Sequence, residues 1–147
     1  MTDYEVEQYF IKKIENLGAP LIESKFLGGK VSYTNIKYEN KSFTRPANGY
    51  WFELYYDTNP PVQAVGGSAG RNLWSGYFQI NICVPKDSGK KAAMKRYEKI
   101  FEEFPIGFVG NNFPGLRILS VGRAPMQYYD DFSLLPMSII FEAYLER

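Results

Sequence analysis

The sequence contains no histidine and only one cysteine. Without histidine, the chain lacks the commonest general base, the base of serine triads and the usual zinc ligand. A single cysteine excludes a disulfide within the chain and is more natural in a reducing compartment. These absences disfavour histidine-dependent hydrolases and most zinc proteins before any motif is considered.

Neither sign of charge dominates, since 17 Lys and Arg stand against 16 Asp and Glu. Bulk charge therefore excludes a strongly basic nucleic-acid binder. The sequence also lacks an apolar run of the ~18–20 residues that a membrane-spanning helix needs. Its first ten residues are acidic and mixed, so we expect neither a membrane span nor a signal peptide. The length of 147 residues predicts one domain over 1–147.

Aromatic residues are abundant, with 2 Trp, 12 Tyr and 11 Phe. Some of these rings must fill the core, but they occur on both sides of the predicted strands. Aromatic side chains are enriched at protein–protein contacts because they bury a large area at low entropic cost. The composition therefore points to a partner surface.

The first helix is predicted over residues 3–17. Thr2 and Glu5 have the spacing of a capping box, and Gly18 and Pro20 supply a stop. Spacings of four, four and three place one set of apolar residues on a single face, namely Val6, Phe10, Ile14 and Leu17.

Three later segments alternate between apolar and polar residues with the period of a strand: residues 50–56, 73–84 and 135–145. A shorter segment, 116–123, predicts a fourth strand. We expect residues 19–48 to form an irregular connection, rich in aromatic residues, with one or two edge strands.

A second helix follows the 73–84 strand, with Asp87 or Ser88 as its cap and Pro105 after its end. Its apolar positions have helical spacing: Ala93, Tyr97, Ile100 and Phe104. The chain therefore predicts an α+β fold, with a mixed, mostly antiparallel sheet of about four to five strands and two main helices on one face.

The charges of this helix oppose its macrodipole, because lysines open it and glutamates close it. One interpretation is a solvated face with local pairs, Lys99 with Glu103 and Lys95 with Glu98. The other is a basic patch at Lys91 and Lys95 for an acidic partner surface.

Residues 58–71 predict a flexible hairpin arm between two strands. The glycines of 66–70 invite a phosphate-loop interpretation, but a strand follows them where that motif needs a helix. A long loop of this kind favours function through contact, and its candidate contact residues are Val62, Val65 and Arg71.

No catalytic constellation stands out. Cys83 is a lone thiol without a histidine to activate it. The adjacent carboxylates Glu102–Glu103 and Asp130–Asp131 are more typical of solvated helix ends and turns than of an acid–base or metal site.

The segment 72–85, NLWSGYFQINICVP, and the turn and helix after it resemble the central block of the tail terminator proteins of lambda-like, long-tailed phages. That block has the form G-x-x-Q-I-x-I/V-x-x-P before a glycine-containing turn, and the matching residues are Gly76, Gln79, Ile80, Ile82, Pro85 and Gly89. Residues 33–36 and 43–46 loosely resemble upstream phrases of the family. Residues 135–141, LPMSIIF, resemble its closing strand.

The resemblance implies a structural virion protein and not an enzyme, without cofactor or metal. Such proteins form a ring, usually of six copies, that caps the tail tube, stops its polymerisation and offers a surface for head joining. The implied partners are copies of the chain, the tail tube protein and a head-completion or neck protein, while DNA passes through the ring without specific binding. The implied location is the head-proximal end of the tail, with assembly in the host cytoplasm.

The residues that we expect to contact another subunit or the tube are the aromatic residues on the second strand face, the basic helix residues and the arm. They are Trp51, Tyr55, Tyr77, Lys91, Lys95, Val62, Val65 and Arg71.

Two alternatives remain at this point. One is a small α+β ligand-binding domain or enzyme with an aromatic-lined pocket, using Asp130, Asp131 or Arg123 with a metal. The other is a single-stranded nucleic-acid binder that stacks bases on its Tyr and Trp rings.

Overall fold

The structure is a computed structural model that describes residues 1–17, 35–46, 49–59, 62–63, 71–110, 112–113 and 115–146. Residues 19–34 of the predicted irregular connection, and most of the predicted arm, lie outside the described residues. In chain order the described elements are α1 (Asp3–Asn16), β1 (Ile36–Lys37), β2 (Trp51–Thr58), β3 (Val62–Gln63), β4 (Arg71–Pro85), α2 (Gly89–Glu103), β5 (Gly107–Phe108), β6 (Arg117–Arg123), β7 (Gln127–Tyr128) and β8 (Phe132–Glu146).

Over the described ranges, eight strands form one sheet with the order β1-β2-β4-β8-β6-β5, while β3 pairs with β4 and β7 pairs with β8. β1 runs parallel to β2, and every other described pair is antiparallel. The α+β class and the mixed, mostly antiparallel sheet are confirmed. The expected count of four to five strands is too low, because β1, β3, β5 and β7 have two residues each and are too short to alternate visibly.

The four longer strands coincide with the three predicted from alternation and the fourth predicted over 116–123. β4 and β8 pair along their whole length, from Arg71 opposite Glu146 to Pro85 opposite Phe132. Each therefore extends beyond its predicted bounds, since the ladder continues past the residues that alternate in polarity. β3 lies inside the predicted 58–71 arm, where it pairs with the start of β4.

Both helices pack on the same face of the sheet, here called the inner face. α1 buries Val6, Phe10 and Ile14 in one cluster with the inner residues of β2, β4, β6 and β8. α2 adds Ala93 and Ile100 to this cluster, and Phe104 joins it directly after the helix. Phe10 lies at its centre, with its ring 5.0–5.8 Å from those of Phe78, Phe104 and Phe141. The buried rings contribute about 1.5–3 kcal/mol each through removal of apolar area from water.

The predicted capping box of α1 is confirmed. The Glu5 amide donates to Thr2 Oγ1 at 3.2 Å, and the Thr2 amide donates to Glu5 Oε2 at 2.9 Å. α2 follows Ser88, but the Ser88 hydroxyl donates to the Pro85 carbonyl at 2.7 Å and forms no side-chain cap. The expected capping bond at Ser88 is therefore wrong.

The ion pairs of α2 also differ from the predicted ones. Lys99 lies 4.0 Å from Glu102, and Glu103 lies 3.9 Å from Lys13 of α1. The expected pairing of Lys99 with Glu103 is replaced by a link between the two helices. No helix in the described part of the chain has the length and apolar character that a membrane crossing requires.

Candidate subunit interface

The face of the sheet opposite the helices, here called the outer face, has three parts along the strands. Side chains alternate between faces, so this face receives the odd-numbered residues of β2 and β4 and the even-numbered residues of β8. One end is covered by the chain itself, the middle carries a polar network, and the other end is open and apolar.

The covered end contains Trp51, Cys83 and Leu134, with Phe43 and Phe132 packed against them. The Arg45 guanidinium lies 5.1 Å from the Trp51 ring and 4.5 Å from the Phe132 ring. Trp51 is only 3% exposed. It belongs to the outer face, as its alternation predicts, but residues of the irregular 43–46 segment cover it, so it is not an accessible contact residue.

The thiol of Cys83 is buried in the same cluster. Burial raises its pKa well above the ordinary value, and the Glu53 carboxylate adds to that effect. The protonated form is therefore favoured, which agrees with a packing role rather than a nucleophilic one.

Glu53 organises the middle of the outer face. It accepts hydrogen bonds from the Trp51 indole at 3.1 Å, the Tyr55 hydroxyl at 3.4 Å and the Asn81 amide at 3.3 Å. Gln79 extends this network by donating to Asn81 Oδ1 at 2.8 Å. Burial, followed by the charge of Glu53, raises the pKa of Tyr55. The half-buried Tyr55 is thus held in a network that no single predicted motif indicated.

The open end carries exposed rings and an aliphatic side chain on the central strands. Tyr77 and Ile140 lie opposite each other on β4 and β8 and are 37% and 38% exposed. Tyr144 lies further along β8 and Phe108 lies at the β5 edge, and both are exposed. We call Tyr77, Ile140, Tyr144 and Phe108 the outer apolar patch.

A charged pair interrupts this patch. Arg117 of β6 lies 3.0 Å from the Glu142 carboxylate, and its guanidinium lies 5.9 Å from the Phe108 ring. Enrichment in aromatic residues and Arg, with few other charges, is typical of the core of a protein-binding surface.

The remaining predicted contact residues do not join this patch. Lys91 and Lys95 are exposed on α2, on the opposite side of the sheet. Val62 lies in β3 and Arg71 begins β4, while Val65 lies outside the described residues. The predicted contact residues are therefore divided between the two faces of the sheet. Ile140 and Tyr144 were missed because the alternation of their strand was interpreted mainly through the residues that face the core.

The free side of β2 is acidic. The Tyr56 amide donates to Glu39 Oε1 at 2.6 Å, and the Thr58 amide donates to Asp57 Oδ1 at 2.8 Å. The Tyr56 hydroxyl donates to Asp3, and its pKa is raised first by burial and then by that hydrogen bond. Partial burial, then the charges of Glu39 and Asp3, raises the pKa of Glu7. We call Asp3, Glu7, Glu39 and Asp57 the acidic edge.

A cavity of about 950 Å³ lies between α1, β2 and the 38–46 segment. Its wall includes Glu7, Glu15 and Glu39 together with Lys41 and Arg45. Glu15 accepts a hydrogen bond from the Tyr38 hydroxyl at 2.6 Å. Within the described ranges, no three His, Cys, Asp or Glu side chains are grouped closely enough to hold a metal ion.

Asp130 and Asp131, singled out from the sequence, do not line that cavity. Asp130 and Asp131 are in the turn between β7 and β8, and Asp131 forms an ion pair with Arg45. Arg123 is exposed at the end of β6.

No protein-family model matches the sequence, and no curated protein is significantly similar to it. Among solved structures, one that bears no functional name aligns with 100% of this chain and 99% of its own, with a TM-score of 0.69 and 17% sequence identity. At that level of identity the likeness concerns the fold alone.

Proposed function

We propose that this protein is a ring-forming tail terminator of a long-tailed phage. It caps the tail tube, stops tube polymerisation and provides the surface to which the head is joined. The observation that carries the proposal is the outer apolar patch, which lies on the central strands of a sheet whose inner face is already buried by two helices.

The position of this patch favours assembly. Tyr77 and Ile140 are direct cross-strand neighbours on the two longest strands, so their exposed area is contiguous and rigidly held. A contiguous apolar area on a monomer usually marks a partner surface, because covering it removes apolar area from water without any change of fold. In a cyclic ring, one patch of each subunit meets a different patch of the next.

The proposed partners are copies of the chain, the tail tube protein and a head-completion or neck protein. The near-neutral charge suits a ring that lets DNA pass without gripping it, since strong DNA binding requires many phosphate contacts from Lys and Arg. The proposed role needs no catalytic residue, cofactor or metal, and it places the protein at the head-proximal end of the virion tail.

The experiment is a tube-growth assay, with the tail tube protein of the same phage as the polymerising partner. Ile140→Ser and Tyr77→Ser should weaken capping while leaving thermal stability nearly unchanged, because both side chains are already partly exposed. Phe101→Ser is a matched control, since Phe101 is 46% exposed on α2, on the other side of the sheet. Unchanged capping by both patch variants, or no capping by the wild-type protein, would contradict the proposal.

The cavity of about 950 Å³ favours a second candidate, a ligand-binding domain with an aromatic-lined pocket. A thermal-shift screen with divalent metals and nucleotides separates the two. A ligand that binds only the folded state raises the melting temperature by an amount that grows with its concentration relative to its Kd. A large, specific shift would support this second candidate over the tail terminator.

A further inference from the structure

In the part of the chain that the structure describes, strands cover each edge of the sheet only in part. At one edge β1 pairs with Phe52 and Glu53 of β2, and at the other β5 pairs with Arg117 and Ile118 of β6. Among the described residues, no strand lies beside 54–58 of β2 or 119–123 of β6. Within the described ranges, five residues of each edge strand therefore have no neighbouring strand, and open strand edges are templates for pairing with another chain.

In the open part of β2, carboxylates accept the backbone hydrogen bonds that the carbonyl groups of a neighbouring strand would otherwise accept. The Asn59 amide donates to Ser75 of β4, so the amides of Tyr56 and Thr58 point away from β4. These two amides donate instead to Glu39 and Asp57. They are therefore oriented to donate to an incoming strand once the carboxylates move aside.

The two open segments lie at the same height in the sheet. The cross-strand pairs can be followed from β2 through β4 and β8 to β6. Leu54 is level with Ile80, Met137 and Arg123. Asp57 is level with Tyr77, Ile140 and Ser120. A β-bulge at Leu119 shifts the register of β6, so Thr58 is level with Ile118. A second copy placed beside the first at equal height therefore brings residues 120–123 opposite residues 54–57.

The strand directions also suit a cyclic contact. β2 and β4, β4 and β8, and β8 and β6 are each antiparallel, so β2 and β6 run in opposite directions. A rotation about an axis along the strands keeps the direction of every strand. It therefore sets β6 of one copy antiparallel to β2 of the next, and the same step can be repeated until a ring closes.

The charges at the two edges are complementary. The β2 side carries the acidic edge, where partial burial and like charges raise the pKa of Glu7. β6 contains Arg117 and Arg123 and no acidic residue. Arg117 is already paired with Glu142, which leaves the exposed Arg123 as the residue best placed to meet the acidic edge.

We propose that residues 120–123 of β6 pair with residues 54–57 of β2 in a second copy of the chain, and that this antiparallel contact joins the subunits of the ring. The inference rests on the proposed ring function and assigns its subunit contact. On docking, Glu39 releases the Tyr56 amide to a carbonyl of the incoming strand, and its carboxylate turns to Arg123.

The test is a charge exchange between two variants, followed by sedimentation velocity over a concentration series, with and without tail tubes. Glu39→Lys and Arg123→Glu should each weaken self-association by about tenfold or more, because each places like charges at the contact. An equimolar mixture should recover assembly, since the two substituted side chains then face each other with opposite charges and each remaining contact is wild type. Glu98→Lys and Lys86→Glu, which are exposed away from both edges, serve as controls.

The outcomes separate this inference from the proposed function. The β2–β6 contact would be supported if each variant self-associates more weakly, the mixture recovers assembly, and the melting temperatures stay close to wild type. A wild-type ring that caps tubes, with variants that assemble equally well, would overturn the contact and leave the proposed function standing. A wild-type chain that stays monomeric at every concentration and on tube ends would overturn both.

Discussion

Arg45 and Asp131 form an ion pair although 86 positions separate them in the chain. The Arg45 guanidinium also lies over the rings of Trp51 and Phe132. This contact ties the 43–46 segment to the turn before β8 and covers one end of the outer face. It explains why Trp51 is buried despite its place on the less protected side of the sheet.

Arg45→Ala should destabilise the protein by about 1–2 kcal/mol, since two cation–π contacts and one exposed ion pair are lost. It should also shift the emission of Trp51 to the red as water reaches the indole. Urea unfolding and fluorescence in a Trp74→Phe background measure both effects. Asp131→Asn keeps the ring contacts and should cost less than ~1 kcal/mol; an equal loss in both variants would show that the ring contacts contribute little.

Gly76→Ala should destabilise the fold by about 1–3 kcal/mol through overpacking. A Cβ at this position would lie 2.5 Å from the Asp57 carbonyl oxygen and 2.8 Å from Cζ of Phe141. Gly122 of β6 has no such neighbour within 4 Å, so Gly122→Ala should change stability by no more than about 0.5 kcal/mol. Thermal unfolding of both variants tests the difference, and similar stabilities would contradict it.

Glu7→Gln should stabilise the protein at neutral pH and lose that advantage in acid. The pKa of Glu7 is raised in the folded state, so the folded protein holds this proton more tightly than the unfolded chain does. The protonated Glu7 side chain therefore contributes its full stabilisation below the pKa of the unfolded chain, near ~4.3. This stabilisation is lost as the pH rises through the folded pKa. Unfolding free energies at pH 3.5 and pH 7 check this. Greater stabilisation by Glu7→Gln at pH 3.5 would contradict the sign.

Cys83 should resist alkylation by iodoacetamide at pH 8 until the protein unfolds. Its thiol is buried and its pKa is raised, so both access and the thiolate fraction are low. Mass spectrometry after timed labelling, with and without urea, measures the rate. Rapid labelling of the native protein would mean that the cluster under Arg45 opens readily.

Local patterns were sufficient to predict the helices and the long strands. Thr2 and Glu5 predicted the start of α1, and the alternation around Phe78 and Ile139 predicted which side of β4 and β8 is buried. These signals depend on neighbouring residues and on the repeat of each element, so a single chain contains them.

The missed features depend on residues that are distant in sequence. Arg45 contacts Trp51 and Phe132, and the Tyr56 amide donates a hydrogen bond to Glu39. Both contacts form only because the tertiary structure brings an irregular segment next to a strand. The two-residue strands are equally invisible in the sequence, because pairing rather than composition defines them. The exposed side of β8, with Ile140 and Tyr144, became a candidate surface only once the helices were placed on the other face.

The mass of the species that forms on tail-tube ends tests the central claim most directly. Tubes are polymerised with the wild-type chain present. Electron microscopy counts the copies bound at each tube end, and the mass of the bound species is measured after its release. We predict a closed ring of about six copies of the 16.9 kDa chain at one end of each tube, with growth arrested there. Monomers scattered along the tubes, or tubes that keep growing from both ends, would contradict the account.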